Sequence, residues 1–324
     1  MKYNRKISKK ISKLASKGTQ FIFAIDFDCE NGFVLTPKEA EKQGIFYDID
    51  GNTNFNYQKK KPPKIDFNVK NIDFGKYKKA FEIVQYHIKR GDTFLVNLTF
   101  KTEIKTNYSF PEIFNNSKAL FKLLYKDEFV VFSPERFIRI SDNKIESFPM
   151  KGTIDANIEN AKEKILNSKK EFYEHNTIVD LIRNDLNIVS KNVQVKKFRY
   201  IDKIKSNKGD LLQVSSQICG ESPDNYTDNL GDIIFSLLPA GSVTGAPKEK
   251  TVEIIKKSES YDRGYYTGIF GFFDGRNLDS AVAIRFIQKE NNKTYYKSGG
   301  GITALSTAEN EYQELIRKIY VPII

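Results

Sequence analysis

Two hydrophobic periods interleave along this chain. In TFLVNLTF, Phe94, Val96, Leu98 and Phe100 alternate as they would on a half-buried strand, whereas Phe81, Ile83, Val84, His87 and Ile88 just before them follow a helical stripe. Further strand-like runs are FIFAID, EFVVFS, RFIRIS, KIESF, VQVKKFRYI, LLQVSSQI, YYTGIFGFF, SAVAIRFI and KTYYKS. Helical spacing predicts helices over roughly 111–125, 159–187, 227–237, 247–259 and 307–320. Strands follow one another through short turns, SDNK at 141–144 and DGRN at 274–277, which suits antiparallel meanders better than repeated βαβ units. The expectation is an α+β fold. QKKKPPK at 58–64, charged and interrupted by Pro-Pro, is the candidate linker, and no internal repeat is visible.

Composition narrows the class. Forty per cent of the 324 residues are hydrophobic, with 25 Phe and 17 Tyr and no Trp, enough apolar surface for a large core. The two cysteines, Cys29 and Cys219, form no CxxC pair, so neither a disulfide framework nor a zinc site is expected and a cytoplasmic location fits. No apolar run reaches 18 residues and the N-terminus lacks a signal-peptide core, so no membrane partner is expected. A formal charge of +11 raises a nucleic-acid reading, but the lysines are spread through every segment rather than gathered in a stripe. The same field would favour a small anionic substrate. Residues 1–18 place Ile7, Ile11 and Leu14 at helical spacing among lysines, predicting a solvated leading helix.

Several groups carry chemistry in more than one way. PAGSVTGAPK (239–248) lacks the Walker register, yet Gly241 and Gly245 permit special backbone angles and Pro247 sits at an expected first helical position, where free N–H groups face an anion. In SGGGIT, Gly299, Gly300 and Gly301 either make a tight turn or let backbone amides approach a carboxylate. Glu171 and Glu174 lie at i,i+3 on one expected helix and Glu311 and Glu314 on another. Such pairs are either solvated, with Glu314 bonded to Lys318, or held together by a cation such as Mg²⁺. Arg285 stands inside the apolar run SAVAIRFI and must pair with a structural or a ligand carboxylate. Lys151, in FPMKGT, reads by itself as one more surface lysine. With His87 and His175 as the only histidines, Ser-His or Cys-His catalysis has little to work with.

Together these stretches resemble the chorismate-utilising family, which includes aminodeoxychorismate and anthranilate synthase large subunits and isochorismate and salicylate synthases. From about Asp92 to the C-terminus the matching segments are GDTFLVNL, FSPERFIRI, FPMKGT, EFYEHNTIVDLIRNDL, PAGSVTGAPK, YYTGIFGFFDG, AVAIRF, SGGGIT and AENEYQE, in the family's order. The resemblance implies one chorismate-utilising domain over 1–324, with a shortened N-terminal part at 1–70 and a catalytic core from about 71. Its fold would be a large two-sheet sandwich of mostly antiparallel strands flanked by helices. It implies that Glu174 and Glu314 ligate Mg²⁺ while Glu171 and Glu311 hold the metal's waters. Arg285, Tyr266 and the amides of Gly299, Gly300 and Gly301 would hold the enolpyruvyl carboxylate of chorismate, with Ser242 and Lys318 close by.

Lys151 discriminates within the family, because aminodeoxychorismate synthases carry a similar PMKGT-like lysine where anthranilate synthases carry alanine. The implied chemistry is attack of this amine on C2 of the ring as the 4-hydroxyl leaves, followed by ammonia at C4, which requires the amine to lose its proton well below ~10.4. Glu135, in SPERF, matches the general acid and base. Leu95 stands where isochorismate and salicylate members have a water-activating lysine. Two departures are visible: Gln213 replaces the usual His before Leu-Val-Ser, and only about ninety residues precede GDTF, so the tryptophan pocket of long members is not expected. Ammonia would come from a separate glutaminase subunit, since no Cys-His pair able to hydrolyse glutamine is present.

Overall fold

The computed structural model describes residues 4–58, 64–204 and 210–323; the core of the candidate linker, 59–63, lies outside them. In chain order the first half gives α1 (Arg5–Ala15), β1 (Phe21–Ile25), β2 (Gly32–Leu35), α2 (Pro37–Lys42), β3 (Ile45–Ile49), β4 (Asn52–Thr53) and β5 (Phe67–Lys70). It continues with α3 (Phe74–Lys89), β6 (Leu95–Thr106), α4 (Phe110–Asn116), β7 (Phe121–Tyr125), β8 (Phe129–Ser133), β9 (Arg136–Ser141), β10 (Lys144–Ser147) and β11 (Met150–Asp155). The second half gives α5 (Ala161–Asn167), α6 (Lys169–Val189), β12 (Lys191–Ile204), β13 (Leu211–Glu221), α7 (Leu230–Ser236), β14 (Gly245–Ala246) and α8 (Lys248–Ser258). Last come β15 (Ile269–Phe273), β16 (Leu278–Val282), β17 (Phe286–Glu290), β18 (Lys293–Ile302) and α9 (Ala308–Arg317).

These strands build two nine-stranded sheets. The first has the order β11-β13-β10-β9-β16-β15-β1-β2 with β12 beside β13, and the second β14-β6-β18-β17-β8-β7-β3-β4 with β5 beside β6. Every pairing described between them is antiparallel, as the short turns foretold. The two sheets pack face to face. Alternation along β1 shows how: Ile22 and Ala24 enter the layer between the sheets with Phe121, Phe129, Phe270 and Phe286, while Phe21, Phe23 and Ile25 face α1, α6 and α7. The far face of the second sheet is covered by α3, α8 and α9 around Tyr77, Val84, Leu98 and Leu315. Each fully buried Phe contributes about 2–3 kcal/mol of transfer free energy, so these layers supply the main driving force. The fold is the expected α+β sandwich of two antiparallel sheets flanked by helices.

Local expectations meet specific corrections. The helix expected over 111–125 ends at Asn116, because FKLLY forms a strand between β3 and β8. The long helix over 159–187 breaks at Ser168, which ends α5 and caps α6 by accepting the Glu171 N–H. The leading helix is docked rather than solvated: Ile7, Ser8, Ile11 and Ala15 are buried, and Ser8 Oγ donates to Asp232 beside α7. Pro247 is the N-cap of α8 rather than its first helical residue. SAVAIRFI, read as one strand, is divided between β16 of one sheet and β17 of the other.

Candidate active site

That division creates the site. At Ala283–Arg285 the chain crosses from sheet to sheet, and Arg285 takes a left-handed φ of 55°, which a strand cannot accommodate. Thr267, a β-branched residue with φ 61°, grips the same crossing through its N–H to Ala283 O at 2.8 Å. Two strained residues therefore fix where one guanidinium emerges. It lines a cavity of about 750 Å³ bounded by β6 and β18 of one sheet, β11 and β13 of the other, and α6 and α9. One Arg285 nitrogen donates to Lys318 O at 2.6 Å, the ring of Tyr320 lies 4.7 Å from the guanidinium carbon, and Tyr296 offers its hydroxyl. Among the described residues Arg285 has no carboxylate partner, and its guanidinium is held by a backbone carbonyl and tyrosines instead. Tyr266 is buried beside it, and burial pushes its phenol well above the usual range.

Lys151 enters from the opposite wall. On β11 the ladder to β13 pairs Met150 with Ser215 and Thr153 with Gln213, so one extra residue bulges out, and Gly152 supplies φ 85°. The bulge carries Lys151 Nζ to 3.4 Å from where a Cβ on Gly301 would stand, with Leu95 Cδ1 3.0 Å from the same point. A side chain at position 301 would displace the amine. Glu135 follows β8 and lines the same cavity, and burial pushes its carboxyl up, while a hydrogen bond from Ser242 and the charges of Lys151 and Lys318 pull it back. Lys318 is lowered, first by burial and then by Lys151, against Glu314.

The three glycines divide their roles. Gly299 and Gly301 face Thr99 and Asn97 across β6, yet the Thr99 N–H goes to Glu259 at 2.8 Å and the Asn97 N–H to Thr244 O at 2.9 Å. Antiparallel alternation then turns the amides of Gly299 and Gly301 away from β6 and commits that of Gly300 to the ladder. The expected cradle of three amides is thereby reduced to two, because strand pairing consumes the middle one. The Gly299 carbonyl on this free edge accepts from Lys318 Nζ at 3.0 Å. The PAGSVTGAPK stretch contributes only Ser242 and Val243 to the lining, so the start of α8 presents no anion cradle there.

Both readings of the glutamate pairs find something here: Glu314 bonds Lys318, and the carboxylates face one cavity. Glu171 and Glu174 on α6 and Glu314 on α9 line the cavity, and a Cβ on Gly300 would meet Glu311 Oε2 at 3.6 Å and Glu314 Oε1 at 3.7 Å. Buried Glu311 accepts from Ser306 Oγ at 2.8 Å, and Glu314 pairs with Lys318 at 2.7 Å. The donor set fits a hard divalent ion such as Mg²⁺ in chemistry: all-oxygen side chains on two helices that face one cavity. Among the described residues no three acidic, His or Cys side chains form a ready-made cage.

The profile of the chorismate-binding enzyme family matches residues 9–323. The chain belongs to that family. An "Uncharacterized PabA-like protein" of Haemophilus influenzae is 49% identical over 305 residues, 94% of this chain and 93% of that protein. Anthranilate synthase component 1 of Acetivibrio thermocellus is 33% identical, covering 82% of this chain and 56% of its own length. Aminodeoxychorismate synthase component 1 of Bacillus subtilis is 30% identical, covering 75% and 54%. The chain thus spans little more than half the length of these two synthases. The menaquinone-specific isochorismate synthase of Escherichia coli shares the fold with a TM-score of 0.71 at 16% identity, covering 97% of this chain and 80% of that one.

Within this family member the cavity also holds residues that the sequence did not single out. Tyr296 supports Arg285 and has its phenol pushed up to about 12 by burial. Ser298 Oγ is buried in the lining and has no hydrogen-bond partner among the described residues. Lys297, fully buried and lowered to about 8 by desolvation, donates to Arg263 O at 3.0 Å. Their alternation with Tyr295 and Gly299 was readable as strand, but nothing in it announced a cavity. Gln213 does line the site, opposite Thr153.

Proposed function

We propose that this chain is the synthase component of an aminodeoxychorismate synthase, converting chorismate and ammonia into 4-amino-4-deoxychorismate with Mg²⁺. The observation that carries this reading is an amine, Lys151 Nζ, thrust by a bulge into a cavity whose other wall holds a guanidinium with no carboxylate partner among the described residues. Arg285, Tyr266 and the free amides of Gly299 and Gly301 hold the enolpyruvyl carboxylate. Glu174 and Glu314 would hold Mg²⁺, with Glu171 and Glu311 beside them, and the ion would supply positive charge against the ring carboxylate.

The Lys151 amine forms a bond to C2 with its lone pair, both ring double bonds shift by one position, and the C4–O bond breaks. The raised carboxyl of Glu135 gives that oxygen a proton, so it departs as water. Ammonia then bonds to C4, both double bonds shift back, and the C2–N bond breaks to return the lysine. Glu135 recovers a proton from the new amine, and Ser242 and Lys318 steady its charge. The balance is chorismate plus ammonia to aminodeoxychorismate plus water. In the cell ammonia would come from a separate glutaminase.

Identity to anthranilate synthase component 1 favours a second reading, with loss of pyruvate. That step needs a proton carrier near the enolpyruvyl group, which Gln213 cannot be. Leu95 likewise cannot activate water for an isochorismate product. Purified protein incubated with chorismate, Mg²⁺ and ammonium distinguishes them by product mass and pyruvate release. Aminodeoxychorismate without pyruvate is expected, and anthranilate with stoichiometric pyruvate overturns the reading.

A further inference from the structure

His175 is fully buried in α6, one residue beyond Glu174, and takes no part in the chemistry above. Its Nε2 lies 2.7 Å from Ser216 Oγ, which also accepts the Arg199 N–H at 3.0 Å. Ser216 N–H in turn donates to Pro149 O, two residues ahead of Lys151. The other ring nitrogen, Nδ1, has no partner at full hydrogen-bonding geometry among the described residues, and the Lys151 backbone is close enough to interact with it. That main chain is the bulge, where the register to β13 shifts. Such a buried ring nitrogen calls for an acceptor, and the Lys151 main chain lies within its reach.

We propose that His175 is a positioning residue: anchored through Nε2 to Ser216, its Nδ1–H engages the Lys151 carbonyl and fixes the bulge that aims the lysine amine. With the Ser216 hydroxyl donating to Nε2, the proton resides on Nδ1 and points at the bulge. This role rests on the reading of Lys151 as the attacking amine, but its consequence for lysine placement does not depend on which product forms.

Two substitutions separate the ring's two ends. His175→Asn retains a donor near the Nδ1 position and loses the Ser216 contact; His175→Gln retains a group near Nε2 and loses the bulge contact. Each variant is assayed for kcat and KM with chorismate, Mg²⁺ and ammonium, for melting temperature, and for acetylation of Lys151 by sulfosuccinimidyl acetate, mapped by peptide mass spectrometry. The Gln variant is expected to lose at least tenfold in kcat with KM within threefold and to change Lys151 acetylation severalfold while Lys318 is unaffected. The Asn variant is expected to recover most of both. Equal losses in the two variants, in proportion to their melting temperatures, would show that His175 only packs and overturn the proposal, as would a Gln variant with unchanged Lys151 acetylation. If wild-type protein makes no aminodeoxychorismate, the functional reading fails while the acetylation pattern still decides the role of His175.

Discussion

Glu135 has a carboxyl that burial holds above its ordinary range while three polar neighbours oppose that rise, which leaves an acid able to give up and recover a proton. Glu135→Gln keeps the shape and removes the proton, so kcat should fall by roughly 10²–10⁴ with KM little changed. Steady-state kinetics check this, and a variant within threefold of wild type would remove Glu135 from the chemistry. Lys151→Ala should likewise lose most of kcat while chorismate still binds, since Arg285 and the carboxylates are untouched. Retained turnover would leave direct attack by ammonia as the mechanism. Glu314→Gln tests the metal: the fold should be kept with a modestly lower melting temperature, because the ion pair with Lys318 is lost, yet calorimetric Mg²⁺ binding and turnover should vanish. The sequence disclosed these residues unevenly. Arg285 was conspicuous as a cation in an apolar run, whereas Lys151 stood out only through resemblance, since a bulge leaves no periodic mark. Ser298 and His175 were hidden because a missing hydrogen-bond partner is a property of space, not of order along the chain.

Elements were legible where one period ran unopposed, as in β6, α8 and α9, and misread where tertiary pairing overrode it. FKLLY has enough apolar positions to extend α4, yet as β7 it gains ladder bonds on both sides, and Ser117 ends the helix first. The cost of that arrangement falls on Lys122, buried in a strand with its amine donating to Phe114 O and Ser117 O at 3.2 Å, where it satisfies the last carbonyls of α4. Tyr57 lies over the same amine, 4.4 Å from ring centre to nitrogen. Desolvation lowers the amine from its usual 10.5 to about 8. Between those values the unfolded chain binds the extra proton, so this group adds stability as pH rises from 8 towards 10 and withdraws it as pH falls back. Denaturant titrations of wild type and Lys122→Met should therefore diverge in favour of wild type over that window, by about 2 kcal/mol. Parallel curves would mean that the amine is already relieved of its burial at pH 8.

For the molecule as a whole, the decisive feature is that the chain changes sheets beside its chemistry, so the cavity opens at the seam of the sandwich rather than at a strand end. Alternation predicted the strands but not their division between sheets, because both nine-stranded sheets are antiparallel and equally apolar on the shared face. Net charge acts at this scale too. The chain carries +11, and among the described residues several lysines pair with acids on separate surfaces, such as Lys101 with Glu290, Lys256 with Asp28 and Lys289 with Asp127. The cavity itself is lined by three lysines and two arginines against four glutamates, close to neutral until a divalent ion enters. A doubly anionic substrate should then be drawn by the general field and held by the site, and these two contributions respond differently to salt. Exposed charges are screened beyond ~10 Å at 0.1 M ionic strength, whereas contacts inside a cavity are screened far less. Raising salt from low to physiological levels at saturating Mg²⁺ should lower kcat/KM for chorismate about threefold to tenfold and leave kcat nearly constant. Retention on duplex DNA at physiological salt should be absent. A salt-independent kcat/KM would place the whole attraction inside the cavity, and tight, salt-sensitive DNA binding would mean that the lysines form a continuous surface after all.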